Sequence, residues 1–217
     1  MNFNFEKFLF KKGFQIIIGL DEAGRGPLAG PVYAGAVLIR KKDLKKLKKY
    51  KKVIEAVRDS KRLKENIRKE IFDFFNQAKV LSFSFSFVSE KIIDKINIER
   101  ATKKAMKNCL KKFNLPLKCF KKTVILIDGN KILDENIPIK QIPIIKGDDK
   151  IFTIALASII AKVKRDDKMK KLSKKYPFYK FEIHKGYPTK LHLELLKKYG
   201  PCQIHRKTFN PIRFIDL

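Results

Sequence analysis

In a chain with 51 Lys and Arg against 22 Asp and Glu, the scarce carboxylates are the residues whose placement can do chemistry. Asp21 and Glu22 come directly after an apolar run at 16–20, and Asp128 directly after another at 124–127. Asp148 and Asp149 follow shortly after a third, at 139–145. Each run reads as a strand, so the acidic groups fall at three strand ends, where an open α/β sheet gathers its functional groups. Carboxylates brought into one cleft repel one another unless a cation neutralises them. An all-oxygen donor set favours Mg²⁺ or Mn²⁺ over zinc. Two such ions about 4 Å apart are a recurring device for in-line attack on a phosphodiester. Taken singly, Asp128-Gly129-Asn130 also makes a good turn, and Gly147-Asp148-Asp149 can cap a following helix. The run Asp21-Glu22-Ala23-Gly24-Arg25-Gly26-Pro27 is harder to read as a turn alone. Two glycines around an arginine suit close backbone approach to a ligand.

The elements that must position these groups are legible from periodicity. Besides the three runs above, residues 32–39 are apolar throughout, and 81–88 alternate Ser with Phe as a half-buried strand does. Helical spacing covers 64–77, with apolar positions at Ile67, Ile71, Phe74 and Phe75. Ser89 is placed to cap a helix from Glu90, and Asn97 precedes a longer one over 98–113. Residues 151–165 are apolar nearly all round, the pattern of a buried helix. The segment 189–199 is a helix stopped by Gly200 and Pro201. Strands early, strands and helices alternating, then helices: the expectation is an α/β sheet protein with a helical C-terminal extension.

Composition bounds the rest. The 217 residues are 44% apolar, enough for a real core, and the formal net charge is +29. That charge suits a polyanionic partner. Only nine of the basic residues are Arg, so a codon bias toward Lys explains part of it equally well. No apolar run approaches the roughly 20 residues of a membrane span. The first 14 residues interrupt Phe with Lys, Glu and Asn, unlike a signal peptide. A soluble, cytoplasmic protein is expected. Cys109, Cys119 and Cys202 form no metal or disulfide pattern and fit a reducing compartment, with Cys109 and Cys119 assigned to the core. His184, His192 and His205 are too far apart in sequence to suggest a metal cage.

The motifs resemble those of the ribonuclease HII family, the type 2 ribonucleases H. The resemblance is carried by the run from Gly19 to Val32, by Asp59-Ser60-Lys61-Arg62-Leu63, by Ile127-Asp128-Gly129-Asn130 and by Lys146-Gly147-Asp148. It continues in Ala157-Ser158-Ile159-Ile160-Ala161-Lys162-Val163, Arg165-Asp166, His184-Lys185-Gly186-Tyr187-Pro188-Thr189 and His205-Arg206-Lys207-Thr208-Phe209. The matches come in the family's order over about 15–213. The resemblance implies a ribonuclease H-like mixed five-stranded sheet flanked by helices. It implies one catalytic domain over 1–217, with residues from about 166 as the helical extension. Asp21, Glu22, Asp128 and Asp148 match the catalytic, metal-binding carboxylates, for Mn²⁺ or Mg²⁺. Gly24, Arg25 and Gly26 match the loop that reads a ribonucleotide's 2′-hydroxyl. Tyr187 matches the tyrosine that helps place the RNA–DNA junction, and Lys61 a basic position near substrate phosphate.

The implied activity is endonucleolytic cleavage of RNA in RNA–DNA hybrids and on the 5′ side of single ribonucleotides in duplex DNA, leaving 3′-hydroxyl and 5′-phosphate ends. A monomer working in ribonucleotide excision and DNA replication, away from membranes, is expected. Asp149 departs from the family pattern, where a small or hydroxyl residue is usual, so Asp149 competes with Asp148 for the fourth ligand position. Leu156 is bulkier than usual and bears on packing. Two rival readings are a basic nucleic-acid-binding module without chemistry and another nuclease of the same fold, such as a ribonuclease HIII. The first leaves the carboxylates unexplained, and the Gly24-Arg25-Gly26 loop argues against the second.

Overall fold

The computed structural model describes residues 1–57 and 62–215. At its centre are strands β1 (Ile16–Ala23), β2 (Val32–Arg40), β3 (Ser82–Val88), β4 (Thr123–Asp128) and β5 (Lys140–Ile144), in the order β3-β2-β1-β4-β5. β1 pairs antiparallel with β2 and parallel with β4. β2 and β3 are antiparallel, and β4 and β5 parallel, so the sheet is mixed. Helix α1 (Asn4–Lys11) precedes the sheet, and α2 (Asp43–Leu47), α3 (Lys51–Ala56) and α4 (Glu65–Ala78) lie between β2 and β3. Between β3 and β4 come α5 (Glu90–Ile96) and α6 (Ile98–Lys111). After β5 come α7 (Gly147–Lys150), α8 (Phe152–Lys175), α9 (Phe181–His184) and α10 (Lys190–Tyr199).

Both faces of the sheet are covered. Strand alternation sends Ile17, Val37, Ile39, Val124 and Leu126 to one face, where they pack with Phe75 of α4 and the apolar half of α8. Ile18, Leu20, Ala36, Leu38, Ile125 and Ile127 go to the other, against Ala101, Ala105, Met106 and Cys109 of α6. That two-sided burial is why β1, β2 and β4 read as continuous apolar runs. β3, at the edge, keeps the Ser–Phe alternation.

Helix α8 rests directly on the sheet. A Cβ at Gly19 would overlap the Thr153 backbone, and one at Gly35 the Ala157 carbonyl. Two adjacent strands therefore carry glycine where the helix backbone touches them. The start of α8 is anchored from α1: its N-cap residue, Ile151, offers no side-chain acceptor, and the Thr153 N–H donates instead to Glu6 Oε1 at 3.0 Å. Burial pushes the Glu6 carboxyl up to about 7.

The elements differ from expectation in several places, the short helices α2, α3 and α9 among them. β1 runs on through Ala23, so Asp21 and Glu22 lie inside the strand rather than after its end. Helix α8 continues to Lys175 without a break at 166, because polar residues replace apolar ones as it leaves the sheet while remaining good helix formers. Helix α1 has no counterpart in the sequence reading, its amphipathic pattern being only two turns long.

The Gly35 contact yields a test. Gly35→Ala should destabilise the chain by about 1–3 kcal/mol or more through overpacking. A lowered urea midpoint would show it, and an unchanged midpoint would mean that the helix does not need this approach.

Candidate active site

Alternation along β1 sends Asp21 and Glu22 to opposite faces of the sheet. Asp21 points to the α8 side, as Ile17 and Gly19 do, and its cross-strand partner is Gly35. It is 4% exposed, and its Oδ1 accepts the Glu22 N–H at 2.7 Å. The Ser158 hydroxyl of α8 also hydrogen-bonds it. Burial first, then the charges of Glu22 and Asp128, raise the Asp21 carboxyl well above the usual carboxylate range; the bonds from Ser158 and Glu22 oppose the rise only in part.

Asp128 ends β4, one step beyond the pairing of Leu20 with Ile127, which puts it alongside Asp21. Its Oδ1 accepts the Gly147 N–H at 2.7 Å, tying the end of β4 to the first residue of α7. A Cβ on Gly147 would come within 2.6 Å of Ile154 Cδ1, so this turn packs closely on the buried Ile154 of α8. Asp148 follows and is buried, whereas Asp149 is exposed. Glu22 lies on the other face with Arg25 Nη1 3.6 Å from its Oε1. A cleft of about 250 Å³ opens there, with Glu22, Arg25, Lys103, Asp128, Asn130 and Lys131 among its lining.

Asp21, Glu22, Asp128 and Asp148 are thus gathered at one end of the sheet by β1, β4 and α7. Among the described residues, no three His, Cys, Asp or Glu side chains already stand close enough to hold a metal ion. The donor chemistry fits a hard divalent cation nonetheless: the groups are all oxygen donors, and a buried carboxylate repelled by two others gains from a positive charge beside it.

Next to the acids, the loop from Gly24 to Gly30 is held by two buried guanidinium groups. Arg206 donates from Nη2 to the Gly24 carbonyl at 2.6 Å, from Nη1 to the Arg25 carbonyl at 2.7 Å and from Nε to the Gly30 carbonyl at 3.0 Å. Arg165, from α8, donates to the carbonyls of Pro31 and Ala29 at 3.1 and 3.2 Å. Gly24 has φ +94°, and a Cβ on it would overlap the Arg165 side chain. Gly26 is different: its φ is ordinary and nothing lies within 4 Å of a Cβ built on it. Arg25 and Gly26 form the exposed tip. Burial pulls the Arg206 guanidinium down to about 9, with the charge of Arg165 adding to the effect.

Tyr187 stands beyond the loop, 37% exposed. Its ring lies 5.5 Å from the Arg165 guanidinium and 5.7 Å from Lys162 Nζ. Lys162 is held by Asp166 Oδ1 at 2.7 Å, and Asp166 in turn by Arg68 at 3.4 Å. The structure therefore groups Gly24, Arg25, Gly26 and Tyr187 around the acidic end of the sheet. Lys61 lies outside the described residues.

The sequence reading assigned no part to Ser158, Lys162, Arg165 or Arg206. The available signal was the rarity of arginine: in a chain that dresses its surface with Lys, a buried planar donor fork marks a place where several carbonyls must be held at once. The three histidines, set aside as scattered, are all buried and in contact, with the rings of His184 and His192 stacked at 4.2 Å. Cys109 is buried and Cys119 half-buried, both packed against the apolar face toward α6.

The family model described as Ribonuclease HII matches residues 18–213. The chain belongs to the ribonuclease HII family. It is 46% identical over 207 residues to the Ribonuclease HII of Caldicellulosiruptor bescii, covering 95% of this chain and 92% of that one. It is 44% identical to that of Chlamydia abortus, covering 96% and 91%. The crystal structure of ribonuclease H2 from Pyrococcus horikoshii OT3 superposes with a TM-score of 0.69 at 28% identity, over 92% of this chain and 96% of that one. Ribonucleases HII are endoribonucleases of RNA–DNA hybrids, so the chain is a hydrolase of the ribonuclease H type. No described helix is long and apolar enough to cross a membrane.

The strain at Asp21 gives a prediction. Asp21→Asn removes the buried repelled charge and keeps the shape. In chelator at pH 7 its melting temperature should exceed that of the unsubstituted chain. A lower melting temperature would mean that Asp21 is stabilising as it stands.

Proposed function

We propose that the chain cuts on the 5′ side of single ribonucleotides in duplex DNA as well as the RNA strand of hybrids, leaving 3′-hydroxyl and 5′-phosphate ends. We place this chemistry at Asp21, Glu22, Asp128 and Asp148. The observation that carries the reading is the buried Asp21, repelled by Glu22 and Asp128 yet kept beside a loop built by two arginines. Mn²⁺ or Mg²⁺ held by these four carboxylates would supply an activated water and charge stabilisation at the leaving 3′-oxygen, in a two-ion arrangement. Asp21 would be central to holding the ions, having Asp128 on one side and Glu22 next in the chain. The burial of Asp148 and the exposure of Asp149 support Asp148 as the fourth ligand.

The chain's own residues supply position. Ser158 orients the Asp21 carboxylate, and the Gly147 N–H orients that of Asp128. Arg206 fixes the carbonyls of Gly24 and Arg25, so the loop meets the substrate in one conformation. A backbone held this way can read a 2′-hydroxyl, the one group that marks a ribonucleotide in DNA. Gly26 supports this: no neighbour in the fold forbids a side chain there, so a demand for glycine has to come from outside. Tyr187 offers an exposed ring for the sugar and base at the junction. The lysine-rich surface holds duplex phosphates without regard to sequence, which makes binding fall steeply with salt. The chain works as a monomer in the cytoplasm, in ribonucleotide excision and replication.

The direct test is a Mg²⁺- or Mn²⁺-dependent assay on matched duplexes carrying one ribonucleotide, a full RNA strand, or DNA alone. Cleavage of the first two and not the third is expected; cutting of all-DNA duplex would contradict the reading. Asp128→Asn should abolish cleavage and retain hybrid binding. Asp148→Asn should do the same while Asp149→Asn stays active, and the reverse order would reassign the fourth ligand. Gly26→Ala should keep its melting temperature yet lose activity on the one-ribonucleotide duplex. Gly24→Ala should lose stability as well, because φ +94° and Arg165 both disfavour a side chain there.

A further inference from the structure

The three histidines remote in sequence form a cluster behind the loop. His184, His192 and His205 are 6%, 0% and 2% exposed, packed around Phe181 and Tyr179. Their partners fix where each proton sits. His192 Nδ1 is 2.9 Å from the Tyr187 carbonyl, which only accepts, so Nδ1 carries the proton and donates. His205 Nδ1 receives the Cys202 N–H at 2.8 Å, so it is the bare nitrogen. The same nitrogen approaches the Cys202 carbonyl at 3.3 Å, but that oxygen already accepts the His205 backbone N–H at 3.0 Å. The two remaining nitrogens, His192 Nε2 and His205 Nε2, face each other at 3.1 Å. His205 Nε2–H therefore donates to His192 Nε2. The result is a one-way chain: Cys202 N–H to His205, His205 to His192, His192 to the Tyr187 carbonyl.

We propose that the His205–His192 hydrogen bond positions Tyr187 against the Gly24-Arg25-Gly26 loop, making these two histidines positioning residues for recognition of a lone ribonucleotide. The inference rests on the reading of Tyr187 and the loop given above. Both ends of the chain are tied to that loop. Arg206, next to His205, grips the carbonyls of Gly24 and Arg25, and its N–H bonds the Leu28 carbonyl at 2.8 Å. Leu28 N–H in turn donates to the Gly186 carbonyl at 2.8 Å, one residue before Tyr187. The imidazole pair is the side-chain brace across this backbone lacing, so a shift of Arg206 and a shift of Tyr187 are coupled. Both imidazoles must be neutral for the chain to exist, because a proton on His192 Nε2 would set two N–H groups against each other. Burial and the neighbouring imidazoles hold each down to about 4, which keeps them neutral at working pH.

The test uses amides that imitate one ring nitrogen at a time. In His205→Gln the terminal amide N–H can replace Nε2–H and keep the bond to His192. In His205→Asn the oxygen can still accept from Cys202, but the bond to His192 is lost. The readout is the ratio of kcat/KM on a one-ribonucleotide duplex to that on a uniform RNA–DNA hybrid. His205→Asn should lower this ratio about fivefold to tenfold, the value of one buried hydrogen bond. His205→Gln should restore most of it, and His192→Asn, which cuts the bond from the other side, should reproduce the loss. In a Tyr187→Ala background, His205→Asn should lower the ratio no further. Equal loss by Asn and Gln at 205, or a further drop in the Tyr187→Ala background, would overturn the proposal. A Tyr187→Ala variant with an unchanged ratio would overturn the reading of Tyr187 and the proposal with it. A shifted ratio in Tyr187→Ala beside unaffected histidine variants would sink the proposal alone.

Discussion

The structure depends on one close approach: α8 lies on β1 and β2 with no side chain between them at Gly19 and Gly35. Everything at the site is measured off from that contact along the helix. Thr153 sits at Gly19 and Ala157 at Gly35. The next residue, Ser158, meets Asp21, which is the cross-strand partner of Gly35. Two turns further on, Arg165 fills the space that a Cβ on Gly24 would need, and Met169 the space at Gly30. A helix held about an ångström higher by an alanine would lift all of these together. Glu6, capping the start of α8 from another helix, sets its position along its own axis.

The second organising fact is a pair of opposite electrostatic costs. Asp21 is buried at the end of the sheet against the charges of Glu22 and Asp128, and two guanidiniums are buried nearby with carbonyls of the following loop as partners. Neither arrangement favours an empty fold: like carboxylates repel, and a guanidinium loses hydration when buried. Carbonyl acceptors offset the second cost, which is why Arg206 makes four bonds to three carbonyls. A divalent cation held beside Asp21 would offset the first. The chain keeps its repelling carboxylates at one end of the sheet and spreads its lysines over the surface, where water screens them.

Much of this was legible in the residues. The five strands and most long helices follow from apolar periodicity, since a sheet covered on both faces leaves continuous apolar runs. Asp128 was read as the residue just after its strand and is the last residue of β4, a difference of one position, because a strand that stops at Asp-Gly-Asn marks its own end. Asp21 and Glu22 were read as a pair beyond their strand; they lie within it, because pairing with β2 continues to Ala23 against Tyr33. Charged residues inside a strand look like its end when only hydrophobicity is followed. The histidine cluster and the arginine grip were invisible for a different reason. Arg206 grips carbonyls 181 and 182 residues away, and the histidines come together only through the packing of Phe181 and Tyr179; a one-dimensional pattern carries no trace of either. Asp148 against Asp149 turns on a buried or exposed side chain in a four-residue helix, which spacing cannot distinguish.

The central claim is that the buried, repelled Asp21 is the core of a divalent-cation site. Calorimetric titration of Mn²⁺ into the unsubstituted chain and into Asp21→Asn, at neutral pH and low salt, tests it most directly. The account predicts saturable binding to the unsubstituted chain and affinity weakened at least about tenfold in the variant, the loss expected even for a group one step removed from a metal. Equal Mn²⁺ affinity in the two chains would contradict it.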